Sequence, residues 1–123
     1  MKIVDLPTFL AMPEGALYAK YEPCSFGELA IKSDTVASVT WYYQDLLPWF
    51  EGASDSDAYF DILDAIENGE PSPPLDFDTT TKDGLYETGQ RFAVFERRDV
   101  EALIARLRRA LADGYTINPD SNA

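Results

Sequence analysis

The chain has 123 residues and a mass of 13.8 kDa, with 22 acidic against 10 basic side chains, a formal charge of −12 and no histidine. That charge argues against direct binding to nucleic acid or to an anionic membrane surface, which carry the same sign. The missing histidine excludes Ser-His-Asp and Cys-His catalysis and the ordinary zinc sites, and the single Cys24 excludes an intrachain disulfide.

The length fits one domain, expected over residues 1–115 with a flexible C-terminal tail at 116–123. Met1 to Pro7 carries an acid at position 5 and no apolar run of signal-peptide length. No stretch reaches the roughly 18 apolar residues of a membrane span, so a cytoplasmic protein is expected. Asp5 to Leu10 reads as a single helical turn with Pro7 in its first positions. Ala16 to Glu22 alternates as a strand, Pro23, Ser25 and Gly27 mark a turn, and Glu28 to Lys32 is a short strand. Val36 to Tyr43 is rich in β-branched and aromatic types, which favours a strand over a helix.

A helix is predicted from Asp55 to Asn68, with Ser54 and Asp57 as a capping box and Tyr59, Ile62, Leu63 and Ile66 as its apolar stripe. Asn68-Gly69 ends it, and the prolines that follow forbid its return. Gly69 to Gly84 reads as a long loop with a short strand at Leu75 to Asp78. Gln90 to Glu96 is a further strand. The clearest element is a helix from Asp99 to Asp113, whose Val100, Leu103, Ile104, Leu107 and Leu111 recur on one face. Asp99 is its expected N-cap, Gly114 its C′ residue, and Arg108 and Arg109 lie at the negative end of its dipole. The order predicts an α+β fold, a small antiparallel sheet packed with two main helices.

Charge is distributed unevenly. From Ser33 through Thr81 there are eleven acids and no Lys or Arg in forty-nine residues. Five of the ten basic residues (Arg97, Arg98, Arg106, Arg108 and Arg109) fall within thirteen positions of the last helix. A turn of about 100° per residue sets Asp57, Asp61 and Asp64 on one stripe of the middle helix, opposite its apolar face. Like charges at this spacing destabilise a helix, so the stripe is a solvated face, a face whose charges meet the arginines of the last helix, or a surface that docks on a basic partner. Trp41, Tyr42, Tyr43, Trp49, Phe50, Tyr59 and Phe60 are dense beside it, and at least half of them are expected to fill the core. The candidate partner-binding residues are Asp55, Asp57, Asp61, Asp64 and Glu67, with Trp49 and Phe50 as anchors.

Motifs for catalysis fail on their context. Asp76-Phe77-Asp78-Thr79-Thr80 matches the string of haloacid-dehalogenase-type phosphatases, but the prolines before it make a poor buried strand and the chain after it is too short. Asp55, Asp57 and Asp61 open like a calcium loop, yet Phe60 and Ile66 replace the required glycine and glutamate. Cys24 lacks a base and is expected as a buried small hydrophobe. No cofactor and no metal are expected, and no catalytic residue is assigned.

Three phrases carry a resemblance: Met12-Pro13-Glu14-Gly15 through Tyr21-Glu22-Pro23-Cys24, then Asp83-Gly84-Leu85-Tyr86, then Phe92-Ala93-Val94-Phe95-Glu96-Arg97. Together they resemble small proteins of bacteriophage and prophage genomes that have no established activity. The resemblance implies a context in which small acidic proteins often act as host-directed inhibitors or mimics of nucleic acid. The expected function is therefore a non-enzymatic acidic binding protein. Its partner would be basic, such as a host nucleic-acid-binding or defence protein. The alternative is a phage assembly component or self-associating module, and the sequence leaves the oligomeric state open.

Overall fold

A computed structural model describes residues 1–37, 39–83, 87 and 89–115. The expected tail at 116–123 and the end of the long loop at Gly84 lie outside the described residues. Strand β1 (Lys2–Asp5) leads directly into helix α1 (Leu6–Leu10). Asp5 caps that helix by accepting from the Thr8 N–H at 3.0 Å, and Pro7 sits in the first turn, where no N–H is needed. Strands β2 (Leu17–Glu22), β3 (Ser25–Phe26), β4 (Ala30–Val36) and β5 (Thr40–Asp45) follow. Then come helix α2 (Ser56–Glu67), strands β6 (Thr81–Asp83) and β7 (Arg91–Val94), and helix α3 (Arg97–Gly114).

The strands form one seven-stranded antiparallel sheet in the order β1-β7-β2-β4-β5-β6, with β3 hairpinned onto β2. The fold is α+β, as the element order predicts. Strand β7 enters between β1 and β2, so the first and last strands lie side by side at one edge of the sheet, with β1 outermost.

Several elements depart from the sequence reading. β1 is an added strand. The strand expected over Val36 to Tyr43 is broken by a turn, because Ala37 takes φ +55°, and β4 and β5 pair across it. The Leu75 to Asp78 strand is only a bridge from Leu75 to Phe50, and the ladder partner of β5 is β6 instead. Cys24 is exposed rather than buried, since it sits at φ +64° in the tight turn between β2 and β3. Helix α2 is capped by Asp55, which accepts from the Ala58 N–H at 2.8 Å, and not by a Ser54 box. Helix α3 begins two residues early with Glu96 as N-cap; Asp99 is the N3 partner of a capping box, accepting from the Glu96 N–H at 2.9 Å. Gly114 is the last helical residue rather than C′, and no basic side chain lies in the last turn.

Alternate residues of a strand share a face. Register puts Tyr18, Lys20, Ala30, Lys32, Trp41, Tyr43, Asp45, Phe92 and Val94 on one side of the sheet. Phe9 of α1 closes over this face, stacked on Phe92 at 4.0 Å and edge-on to Trp41 at 5.1 Å. Trp41 donates from Nε1 to the Tyr18 hydroxyl at 2.9 Å, so the buried indole N–H is satisfied. Lys32, 2% exposed, lies under α1 and donates to the carbonyls of Met12 and Ser33, both at 3.0 Å. Burial holds its ammonium below the usual lysine range, with Asp34 and Glu14 acting in the other direction. The core therefore gathers Leu6, Phe9, Tyr18, Ala30, Trp41, Phe92 and Val94.

Of the seven dense aromatics only Trp41 is fully buried, which corrects the expectation that at least half would fill the core. Phe9, Tyr18 and Phe92 take those places, because the sheet pairing brings them together from distant parts of the chain. Neither long helix buries a single residue.

Candidate functional site

The sequence-predicted surface is on α2. Its stripe is exposed: Asp57, Asp61 and Asp64 all face water, while Tyr59, Ile62, Leu63 and Ile66 opposite them are half-buried. Phe60 flanks that acidic stripe, next to Asp57 and Asp64 on the helix surface, and is 63% exposed. No salt bridge joins Asp55, Asp57, Asp61, Asp64 or Glu67 to a basic side chain among the described residues, so the arginines of α3 do not neutralise them. Asp57 favours the positive end of the helix dipole, but Glu67 stands in a last turn that has no basic residue. Asp55 has a structural role as the N-cap beside whatever charge it contributes.

Trp49 and Phe50 join this helix through Tyr59. Trp49 stacks on the Tyr59 ring at 4.6 Å and remains 45% exposed, and Phe50 lies at 5.7 Å from the same ring. Both are fixed by a short ladder with the proline-rich segment. Glu51 donates to the Pro74 carbonyl at 2.8 Å, Asp76 donates from its N–H to the Trp49 carbonyl at 2.8 Å, and Phe50 bridges to Leu75. Rigid placement of half-exposed aromatics is the arrangement by which interfaces anchor a partner.

Beside that ladder is a cleft of about 460 Å³ that the sequence does not reveal. Tyr43, Trp49 and Phe50 line it together with Glu28, Asp45 and Asp76, and no Lys or Arg does among the described residues. It opens where the core face of the sheet runs beyond α1, since Tyr43 and Asp45 continue the alternation begun at Trp41. Burial raises the Asp45 carboxyl above the usual aspartate range, and the Glu28 charge adds to that. Asp76 is lowered by the Thr79 hydroxyl and by backbone N–H groups of Asp78 and Thr79. The phosphatase-like string is thus a turn, in which its first aspartate accepts hydrogen bonds locally.

Asp57, Asp61 and Asp64 do not line the cleft, and the two surfaces share Trp49 and Phe50 through the Tyr59 contact. Among the described residues no group of three potential metal ligands converges, and no helix is long and apolar enough to cross a membrane. No protein-family model matches this chain, and neither a curated protein nor a solved structure matches it.

Proposed function

We propose that this protein is a non-catalytic binding module whose acidic helix α2 docks on a basic protein partner. The observation that carries this reading is Phe60, a large aromatic held 63% exposed at the edge of the acidic stripe, beside Asp57 and Asp64. Through Tyr59 it is continuous with the half-exposed Trp49, so the acidic face carries a cluster of aromatic area rather than a lone ring. Here the acids steer a cationic partner over long range, and the ring provides apolar area for it to cover. Trp49, stacked behind on Tyr59, extends the same surface. A partner that normally binds nucleic acid fits the charge, and the phage resemblance makes a host-directed inhibitor or nucleic-acid mimic the leading form of this proposal.

The test is affinity capture from bacterial lysate at low and high salt, with wild type and with a variant carrying Asp57→Asn, Asp61→Asn and Asp64→Asn. A basic partner captured by wild type at low salt and lost from the variant supports the reading. Equal capture by both proteins contradicts it.

A second reading, self-association, is favoured by α3. Ile104, Leu107 and Leu111 on its apolar face are 42%, 57% and 65% exposed. Arg106, Arg108 and Arg109 on the same helix have no salt bridge among the described residues, so a second copy's acidic surface would complement them. Light scattering over a concentration series distinguishes the readings: self-association raises the apparent mass with concentration, and Leu107→Asp with Leu111→Asp abolishes the rise.

A further inference from the structure

We infer that the cleft lined by Tyr43, Trp49 and Phe50 with Glu28, Asp45 and Asp76 receives the guanidinium group of an arginine side chain from the partner protein. The inference rests on the proposal of a basic partner for the source of the arginine; the cleft itself is tested separately from the α2 surface.

Three aromatic rings and the carboxylates of Glu28, Asp45 and Asp76 line one concavity, with no cation in its lining among the described residues; Asp76 already accepts from Asp78 and Thr79, so Glu28 and Asp45 are the carboxylates offered to a ligand. A planar, weakly hydrated guanidinium suits that combination better than an ammonium, because it stacks on an aromatic face and bridges carboxylate oxygens through a rigid fork of donors. The volume of about 460 Å³ admits the aliphatic stem as well as the charged head. Trp49 is held against Tyr59 and is still 45% exposed, so its ring is positioned in advance and needs no rearrangement to accept a stacked group. No described residue donates a hydrogen bond to the side chain of Asp45 or Glu28, which leaves the oxygens of both available.

The electrostatics of the cleft agree with this assignment. Asp45 is disfavoured as a charge by burial and by Glu28, and Tyr43 is raised by burial with Asp45, Asp83 and Glu28 contributing. Lys20, which shares a neighbouring concavity with Glu28, Tyr43 and Asp45, is paired with Asp83 at 2.7 Å. A bound cation would offset the repulsion between Asp45 and Glu28.

The experiment is NMR titration of the intact protein with a blocked pentapeptide, acetyl-Gly-Gly-Arg-Gly-Gly-amide, whose only charge is the guanidinium. The same peptide with citrulline in place of arginine keeps the shape and removes the charge. Free arginine amide and spermidine form further arms that distinguish a protein side chain from a small free cation. The arginine peptide is expected to shift the Trp49 indole signal and the backbone signals of Tyr43, Asp45 and Phe50 saturably, and the citrulline peptide to shift none of them. Asp45→Asn and Trp49→Ala should each weaken binding at least fivefold, while Asp34→Asn, outside the cleft, leaves it unchanged. Asp45→Asn should also raise thermal stability at neutral pH, so weaker binding by that variant is not a folding defect. Equal binding of the citrulline peptide, shifts confined to α2, or binding of spermidine alone would each overturn the assignment. Loss of lysate capture on substituting α2, with peptide binding intact, would separate the two surfaces.

Discussion

Helix α1 has five residues and buries two of them, Leu6 and Phe9, under a sheet face of Tyr18, Trp41 and Phe92. Helices α2 and α3 have twelve and eighteen residues and bury none. The shortest helix closes the core, and the two longest present amphipathic surfaces to water. A periodic apolar stripe therefore marks a helix without saying what covers it. In α1 the covering surface is the protein's own sheet. In α2 and α3 the apolar faces stay half-covered or open, which is the condition of a surface that awaits a partner.

The comparison breaks most visibly at Phe9. Phe9→Ala removes a ring with no exposed surface and leaves a cavity among Tyr18, Trp41 and Phe92, which costs about 3–5 kcal/mol. Urea unfolding should show a large fall in midpoint. A loss under 1 kcal/mol would mean that α1 is not the element that closes the core.

Tyr18→Phe comes next. It leaves the Trp41 indole N–H without its acceptor inside the core, at a cost of about 1–3 kcal/mol. The same residue sets an alkaline limit. Burial raises the Tyr18 phenol well above its ordinary value of 10.0, so the folded state holds a proton that the unfolded state releases. That contribution is complete below the ordinary tyrosine value and is lost as pH rises above it. Stability measured against pH should fall above about pH 10 in wild type and fall less steeply in Tyr18→Phe.

Leu107→Ala on α3 should cost no more than about 0.5 kcal/mol in dilute protein, because the side chain is already 57% exposed. A loss comparable to that of Phe9→Ala would show that α3 packs on the protein itself or on a second copy. The smallest effect is expected on α2. Replacing Asp61 and Asp64 by Asn relieves the like-charge pairs Asp57–Asp61 and Asp61–Asp64 while keeping Asp57 in the first turn, and should stabilise the chain by about 0.2–0.5 kcal/mol for each pair. Thermal melts at low ionic strength would detect the gain, and it should shrink as salt is added.

The local elements were legible where local chemistry decides them. Asp5 followed by Pro7 announces α1, and the spacing of Val100, Leu103, Ile104 and Leu107 announces α3. The turn at Ala37 was not legible, because an alanine at φ +55° has no turn signature and its neighbours Thr35, Val36, Val39 and Thr40 all favour strands. Nor could the sequence show that Phe9, Tyr18 and Phe92 displace the dense aromatics from the core, since that follows from β7 entering between β1 and β2. The acidic stripe of α2 could be read from a helical repeat alone. The cleft could not, because Glu28, Asp45 and Asp76 come from three separate segments that only tertiary pairing brings together.

Native-state hydrogen exchange on the isolated protein, at a concentration where it is monomeric, tests the contrast between the helices most directly. Amides of β2, β7 and the α1 turn should exchange only through global unfolding, while those of α2 and the last three turns of α3 exchange through local opening, much faster. Protection of α2 and α3 equal to that of the central strands would contradict the account, because both helices would then belong to the core rather than to a partner-binding surface.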